Sequence, residues 1–236
     1  MDNITLEKMI LSRVGNWTFD KHVSKIFDDH VRKSIPCYDD VQRLIALISR
    51  QILPDHAFVY DLGTATGEVI FNIEAINHSK ELSFVGIDQS DHMLNMAKKK
   101  CQVINNVTFR NEKIETFDYL PSNLIVSAFT LQFVEIPKRR DVLNKIKDSI
   151  MPNGYFILCE KMSFPNDESN SFFRQVHENW KLRHFSPDEI NSKKNSLKNV
   201  MQLLSMSEYS DMLREVGFRQ IDVFFQWCNF VCILAQ

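Results

Sequence analysis

Between Ala57 and Asn77 the apolar run Ala57-Phe58-Val59-Tyr60-Asp61-Leu62 meets a turn, Gly63-Thr64-Ala65-Thr66-Gly67, beyond which apolar residues recur at helical spacing through Asn77. A hydrophobic period that changes across a glycine-bearing turn predicts a strand, a sharp turn and a helix. The unit then recurs. Ser83 to Asp88 reads as a second strand, Ser90 as the N-cap of a helix with inner face Met93, Leu94, Ala97 and Cys101, and Val107 to Asn111 as a third strand. Asn123 to Phe129 predicts a buried central strand, and Pro137 opens a helix carrying Val142, Leu143, Ile146 and Ile150 on one face. Pro152-Asn153-Gly154 predicts the turn that ends this helix, and Tyr155 to Lys161 the next strand. Strands and helices alternating at crossover spacing predict an α/β fold: a doubly wound, Rossmann-like, mostly parallel sheet.

The flanks read differently. Val41, Leu44, Ile45, Ile48 and Ile52 form an apolar stripe behind Asp39 and Asp40, so residues 1–55 are expected to form a helical cap. Asn166 to Asn199 is polar and helical in tone, predicting a helical lid over residues 166–206. Ser207 to Val216 is a last helix closed by Gly217, and Arg219 to Gln226 with Asn229 to Ala235 predicts an antiparallel C-terminal hairpin. Its aromatic residues Phe224, Phe225, Trp227 and Phe230 suit packing on the sheet or a dimer interface. No repeat or flexible linker interrupts the pattern, so residues 1–236 are expected to form one domain.

Charge and cysteine usage exclude several classes. A formal net charge of −2 leaves no broad basic field, so direct nucleic-acid binding is not expected. Lys98-Lys99-Lys100 suits the end of a helix, where cations complement the dipole, and Lys138-Arg139-Arg140 reads as a solvated face. No apolar run reaches the roughly 20 residues of a membrane span, and Met1 to Arg13 lacks the build of a secretory signal. The 5 cysteines contain no C-x-x-C pair and read as reduced thiols, so a cytoplasmic protein is expected. His177 and His184 have no matching ligand cluster, and no metal is expected.

The chemistry of the chain gathers at the first turn. Open α/β sheets bind ligands at the carboxyl ends of their strands, where glycines let backbone approach the ligand. Asp88 closes the second strand, and a carboxylate there accepts hydrogen bonds from ribose hydroxyls. Loop and acid together point to a nucleotide-like cofactor. A dinucleotide is the weaker choice, because Ala65 interrupts G-x-G-x-x-G, and no G-x-x-x-x-G-K-[ST] phosphate loop occurs.

The Gly63–Gly67 loop, Asp88, the Pro152–Gly154 turn and the terminal hairpin together resemble the class I S-adenosylmethionine (SAM) methyltransferases. A narrower resemblance, to the carboxy-S-adenosyl-L-methionine (carboxy-SAM) synthases, rests on Gly15-Asn16-Trp17-Thr18-Phe19-Asp20, Ile35-Pro36-Cys37-Tyr38, Phe129-Thr130-Leu131-Gln132-Phe133, Glu160-Lys161 and Phe225-Gln226-Trp227-Cys228-Asn229-Phe230. That family makes carboxy-SAM from SAM and prephenate, as donor for a wobble-uridine tRNA modification, and is typically dimeric. The resemblance implies cofactor contacts at Tyr38, Gly63, Thr64, Ala65, Asp88, Gln89 and Ile114, with Asp61, Gly67 and Phe129 in the same site. Three further positions depart from the pattern. Lys194 stands where the family pairs an arginine with the added carboxylate, Ala128 replaces an asparagine, and Lys113 replaces the acid that reads adenine, with Glu112 beside it. Lysine keeps charge but loses the planar fork, and Ala128 removes an amide and opens space for an acceptor.

The expected activity is therefore a SAM-dependent transfer, with methyl transfer to a small-molecule acceptor ahead of three alternatives. These are carboxy-SAM synthesis, intramolecular SAM chemistry releasing methylthioadenosine, and a non-enzymatic SAM-binding module. Such transfer needs placement more than covalent help, so no catalytic residue is assigned. His177, Glu178 and His184 are candidate lid bases or acceptor contacts, and Tyr38 and Trp180 candidate aromatic walls.

Overall fold

A computed structural model of the chain describes residues 21–236. The Gly15–Asp20 motif, the Met1–Arg13 segment and the beginning of the expected cap lie outside the described residues.

The central strands are apolar on both sides, so they need covering on both faces. Seven strands form one sheet in the order β3-β2-β1-β4-β5-β7-β6. Here β1 is His56–Leu62, β2 Glu81–Asp88, β3 Val107–Asn111, β4 Ser122–Ala128, β5 Ile150–Lys161, β6 Ile221–Trp227 and β7 Phe230–Ala235. Pairing is parallel from β3 through β5, whereas β7 runs antiparallel to both β5 and β6. Alternate residues feed two cores. Val59, Val126 and Ile157 join one; Tyr60, Ile125 and Leu158 join the other.

Helices fill both layers: α1 (Lys21–Ser34), α2 (Tyr38–Ile52), α3 (Glu68–Asn77), α4 (Asp91–Lys100) and α5 (Ile136–Ser149). Then come α6 (Asp167–Lys181), α7 (Pro187–Ser196) and α8 (Met206–Glu215). The expected Ser90 cap forms, and the structure adds two more where a serine precedes a helix. Ser90 accepts a hydrogen bond from Met93 N, and Ser186 and Ser205 each build a capping box with the glutamate three residues on. The α6–α7 pair is the expected lid, and β6–β7 the expected hairpin.

Two local readings are corrected and one is extended. Pro152-Asn153-Gly154 does not separate helix from strand: Ile150 already pairs with Ser122, and the turn sits inside β5 as an irregularity before Leu124 meets Tyr155. Arg139 is not on a solvated face but is fully buried. It donates to the carbonyls of Val134 (2.9 Å), Gln132 (3.3 Å) and Gln202 (2.5 Å) and to Tyr209 Oη (3.1 Å). Lys100 does more than complement a helix dipole, since its Nζ bonds Asp28 Oδ2 at 2.7 Å and also pairs with Glu68. Thr66 Oγ1 donates to Asp28 Oδ1 at 2.5 Å, so this cluster fastens α1 to the first turn.

The sheet order places the switch point at β1 and β4. The connection after β1 leads to β2 on one side, and β4 lies on the other, which opens a crevice at their carboxyl ends.

Candidate functional site

A cavity occupies that crevice, roofed by α1 and the lid. Its floor follows from backbone geometry. Gly63 N and Thr64 N both donate to Ile87 O, at 2.8 and 2.9 Å, which folds the turn over the end of β2. Gly63 (φ 69°), Ala65 (φ 47°) and Gly67 (φ 80°) are left-handed. A Cβ on Gly63 would stand 2.4 Å from the Thr130 side chain, itself tied by Oγ1 to Leu62 O at 2.8 Å, so only glycine fits. Phe129, also left-handed at φ 61°, is held by its N–H on Cys159 O at 2.6 Å. Such residues persist only where neighbours over-determine them.

Two acids close the floor. Asp61 is buried and accepts from Thr64 Oγ1 at 2.6 Å; desolvation pushes its carboxyl up to about 7 despite that bond. Asp88 Oδ2 accepts from Ala65 N at 3.0 Å and Oδ1 from Ser90 N at 2.8 Å. Burial raises its pKa, and the two N–H donors oppose the rise. A carboxylate has about four lone-pair sites, so Asp88 keeps accepting capacity toward the cavity.

Most sequence-derived candidates come together here. Tyr38, Asp61, Gly63, Thr64, Ala65 and Asp88 line the cavity, as do Gln89, Lys113, Ile114, Ala128 and Phe129. Glu112 lines it beside Lys113. Tyr38 packs 6.3 Å from the Phe129 ring, and burial raises its phenol's pKa. Two candidates lie elsewhere. Gly67 is not on the wall; it packs against α4, where an added Cβ would stand 3.0 Å from Cys101 Sγ. Lys194 Nζ meets Glu178 Oε1 at 3.3 Å, and it is Lys193, its neighbour, that lines the cavity. Adjacent helical residues point about 100° apart, so one lysine faces in as the other turns away.

The lid candidates also divide. His177 lines the cavity, whereas Glu178, Trp180 and His184 do not. Trp180 packs 6.0 Å from Trp227 and 5.8 Å from His184, fastening α6 to the hairpin. Sequence reasoning missed Lys161, Lys181, Lys193 and Gln132 on the wall. Lys161 carried the same signal as Asp61 and Asp88: a charged residue at the carboxyl end of an apolar strand. Among the described residues no group of three or more His, Cys, Asp or Glu could hold a metal ion, and no described helix is long and apolar enough to cross a membrane.

Comparison with known proteins agrees with this geometry. A methyltransferase-domain family matches residues 54–216. The carboxy-SAM synthase of Nautilia profundicola is 33% identical over 219 residues, covering 92% of this chain and 93% of its own length. That of Actinobacillus pleuropneumoniae is 28% identical, covering 100% of this chain and 99% of its own. Human N-acetylserotonin methyltransferase, solved in complex with SAM, shares the fold at a TM-score of 0.61 and 15% identity, over 92% of this chain and 55% of that larger one. The chain thus belongs to the methyltransferase-domain proteins and, among them, to the carboxy-SAM synthase family of SAM-dependent transferases.

Proposed function

We propose that the protein transfers the methyl group of SAM to a small-molecule acceptor held beneath the lid. The observation that carries this reading is the β4 wall. Ala128 and Phe129 offer the cavity a methyl group and a ring, and Lys194, the position the resemblance assigns to a carboxylate, is engaged with Glu178 instead.

The residues present fit SAM. Asp88, with lone pairs to spare, suits ribose hydroxyls; Asp61 suits a cationic ammonium; Tyr38, Ile114 and Phe129 give apolar walls to a base and a sulfonium. Gln89, Lys113 and the backbone of Gly63 to Ala65 complete the proposed contacts. Bound SAM supplies a methyl group already activated on sulfur. The chain's part is to orient the acceptor toward it and to exclude water, which requires no covalent residue.

Mass spectrometry of the small molecule released on denaturing freshly purified protein tests the reading. SAM or S-adenosylhomocysteine is expected, and retained carboxy-SAM overturns it. A second reading, carboxy-SAM synthesis, is supported by relatives of that name matching nearly the whole chain. Formation of carboxy-SAM from SAM and prephenate by the purified protein establishes that reaction in place of methyl transfer. The proposal extends to a cytoplasmic, single-domain homodimer, for which light scattering should return the mass of two chains; the mass of one chain overturns the dimer.

A further inference from the structure

Gln42 is the one described residue on the cavity wall whose buried polar atoms lack a partner. It lies on α2, one helical turn beyond Tyr38 and on the same face, and is 2% exposed. Neither its Oε1 nor its Nε2 has a hydrogen-bond partner among the described residues. The other buried orphans, on Asn77, Ser122, Ser127, Glu160 and Asn229, are single oxygen atoms away from this wall. An amide shut off from water without partners weakens the fold, because an apolar side chain of the same shape would fill the space without that cost.

The surroundings decide what can meet this amide. Tyr38 packs 6.3 Å from the Phe129 ring, so this face of α2 lies over the end of β4, where Ala128 and Phe129 line the cavity. Val41, Ile45 and Val69 pack in the same core as Tyr38 and Phe129. A formal charge would be desolvated among them, so a group that meets Gln42 is neutral. An amide both donates and accepts, and its complement does both. The terminal torsion of a glutamine is soft, which lets the amide turn toward a group that enters the cavity. SAM has no such group to offer at this place. In the proposed contacts its ribose hydroxyls meet Asp88 and its ammonium meets Asp61, while Lys113 and Ile114 follow β3, on the far side of β1 from β4. Its α-carboxylate only accepts.

We infer that Gln42 reads an uncharged hydroxyl or carboxamide on the methyl acceptor, a group that donates to its Oε1 and accepts from its Nε2. This deepens the proposed transfer and rests on it. Protein saturated with S-adenosylhomocysteine is titrated with benzyl alcohol and with ethylbenzene, which carries a methyl group in place of the hydroxyl, using the parent, Gln42→Met and Gln42→Asn. The ratio of benzyl alcohol affinity to ethylbenzene affinity should fall about fivefold or more from the parent to Gln42→Met, the scale of one or two hydrogen bonds. Gln42→Asn, with the amide on a shorter stem, should keep part of the parent's ratio, and S-adenosylhomocysteine affinity should stay within about twofold throughout. Ligand-free Gln42→Met should unfold at the urea concentration of the parent or a higher one, because the orphaned amide is gone. An unchanged ratio overturns the assignment, as does a parent that does not bind benzyl alcohol. A lower urea midpoint overturns it too, since the amide would then serve the fold, as through a buried water. Failure of the parent to bind S-adenosylhomocysteine overturns the transfer reading and the acceptor contact with it, whereas binding with an unchanged ratio overturns the role of Gln42 alone.

Discussion

At the floor of the cavity Asp61, Gly63 and Asp88 are placed by backbone: two N–H groups on Ile87 O, two on the Asp88 carboxylate, and a turn that admits no Cβ at Gly63. At the lid end Lys161, His177 and Lys193 are placed by side chains and by packing between segments far apart in the chain, such as the His177 contact to Ser34 across 143 residues. A backbone-built site has few ways to change without losing the fold. A side-chain-built site can exchange one cation for another, as at Lys194, one of the three positions where this chain departs from the pattern it resembles.

The largest expected effect breaks the element on which the lid end rests. Arg139 reaches both Gln132, on the cavity wall, and Gln202, just beyond the lid helices. Arg139→Met leaves buried carbonyls without a donor and removes the cation facing buried Glu160, whose carboxyl burial raises to about 8 against that same cation. A loss of about 3 kcal/mol or more in unfolding free energy follows from such buried contacts. Urea denaturation measures it, and a loss below about 1 kcal/mol would show that the network carries no load.

Breaking the floor should cost less stability and more binding. Gly63→Ala places a Cβ 2.4 Å from Thr130 at a positive φ, so about 2 kcal/mol of destabilisation is expected. SAM affinity should fall at least tenfold, because the turn must shift to relieve the contact. Calorimetric titration tests this, and unchanged SAM affinity would remove Gly63 from the cofactor floor.

The same division governs what can be read from the sequence. The Gly63 turn, Asp61 and Asp88 were legible, since each depends on residues adjacent in the chain and on a hydrophobic period. Arg139 was not, because Lys138-Arg139-Arg140 carries no local sign that its middle member turns inward to meet Tyr209 while Arg140 pairs with Glu215. Lys161 was visible within a family motif but without a role. Its pairing with His177 and Ser34 depends on how the lid lands on α1, and no local spacing encodes that. Lys194 shows the finest limit: the resemblance names Lys194, the structure sets Lys194 against Glu178 and Lys193 on the cavity wall, and no local spacing encodes which of two adjacent lysines faces inward.

Acidity sharpens the lid side further. Desolvation, with Lys181 next in effect, lowers Lys161 to about 8. Glu178 opposes this, while Arg174 and Lys194 add to it, and neutral His177 contributes an acceptor. Lys161 carries the charge when protonated, so any carboxylate preference is full below that value and declines as pH rises through and beyond it. A bound anion favours the protonated form and moves the decline upward. Titrating benzoate and benzamide between pH 6.5 and 10 should show the preference fading, whereas SAM binding strengthens as Asp61 ionises near 7; a flat preference would mean that another group holds the anion.

The smallest effect is the most discriminating between two neighbouring lysines. Lys194 and Glu178 form an ion pair 3.3 Å long with half of the lysine side chain exposed, an arrangement that contributes about 0–1 kcal/mol. Lys194→Ala should therefore leave stability nearly unchanged and alter SAM and carboxylate affinities by less than about twofold. Lys193→Ala, which removes a cavity-facing cation, should weaken the carboxylate ligand more than SAM. If Lys194→Ala instead costs tenfold in carboxylate affinity while Lys193→Ala and Lys161→Met do not, the lid must rotate on binding to bring Lys194 inward. The lysine named by the resemblance would then be the reader, and the lid end would be a site assembled by its ligand.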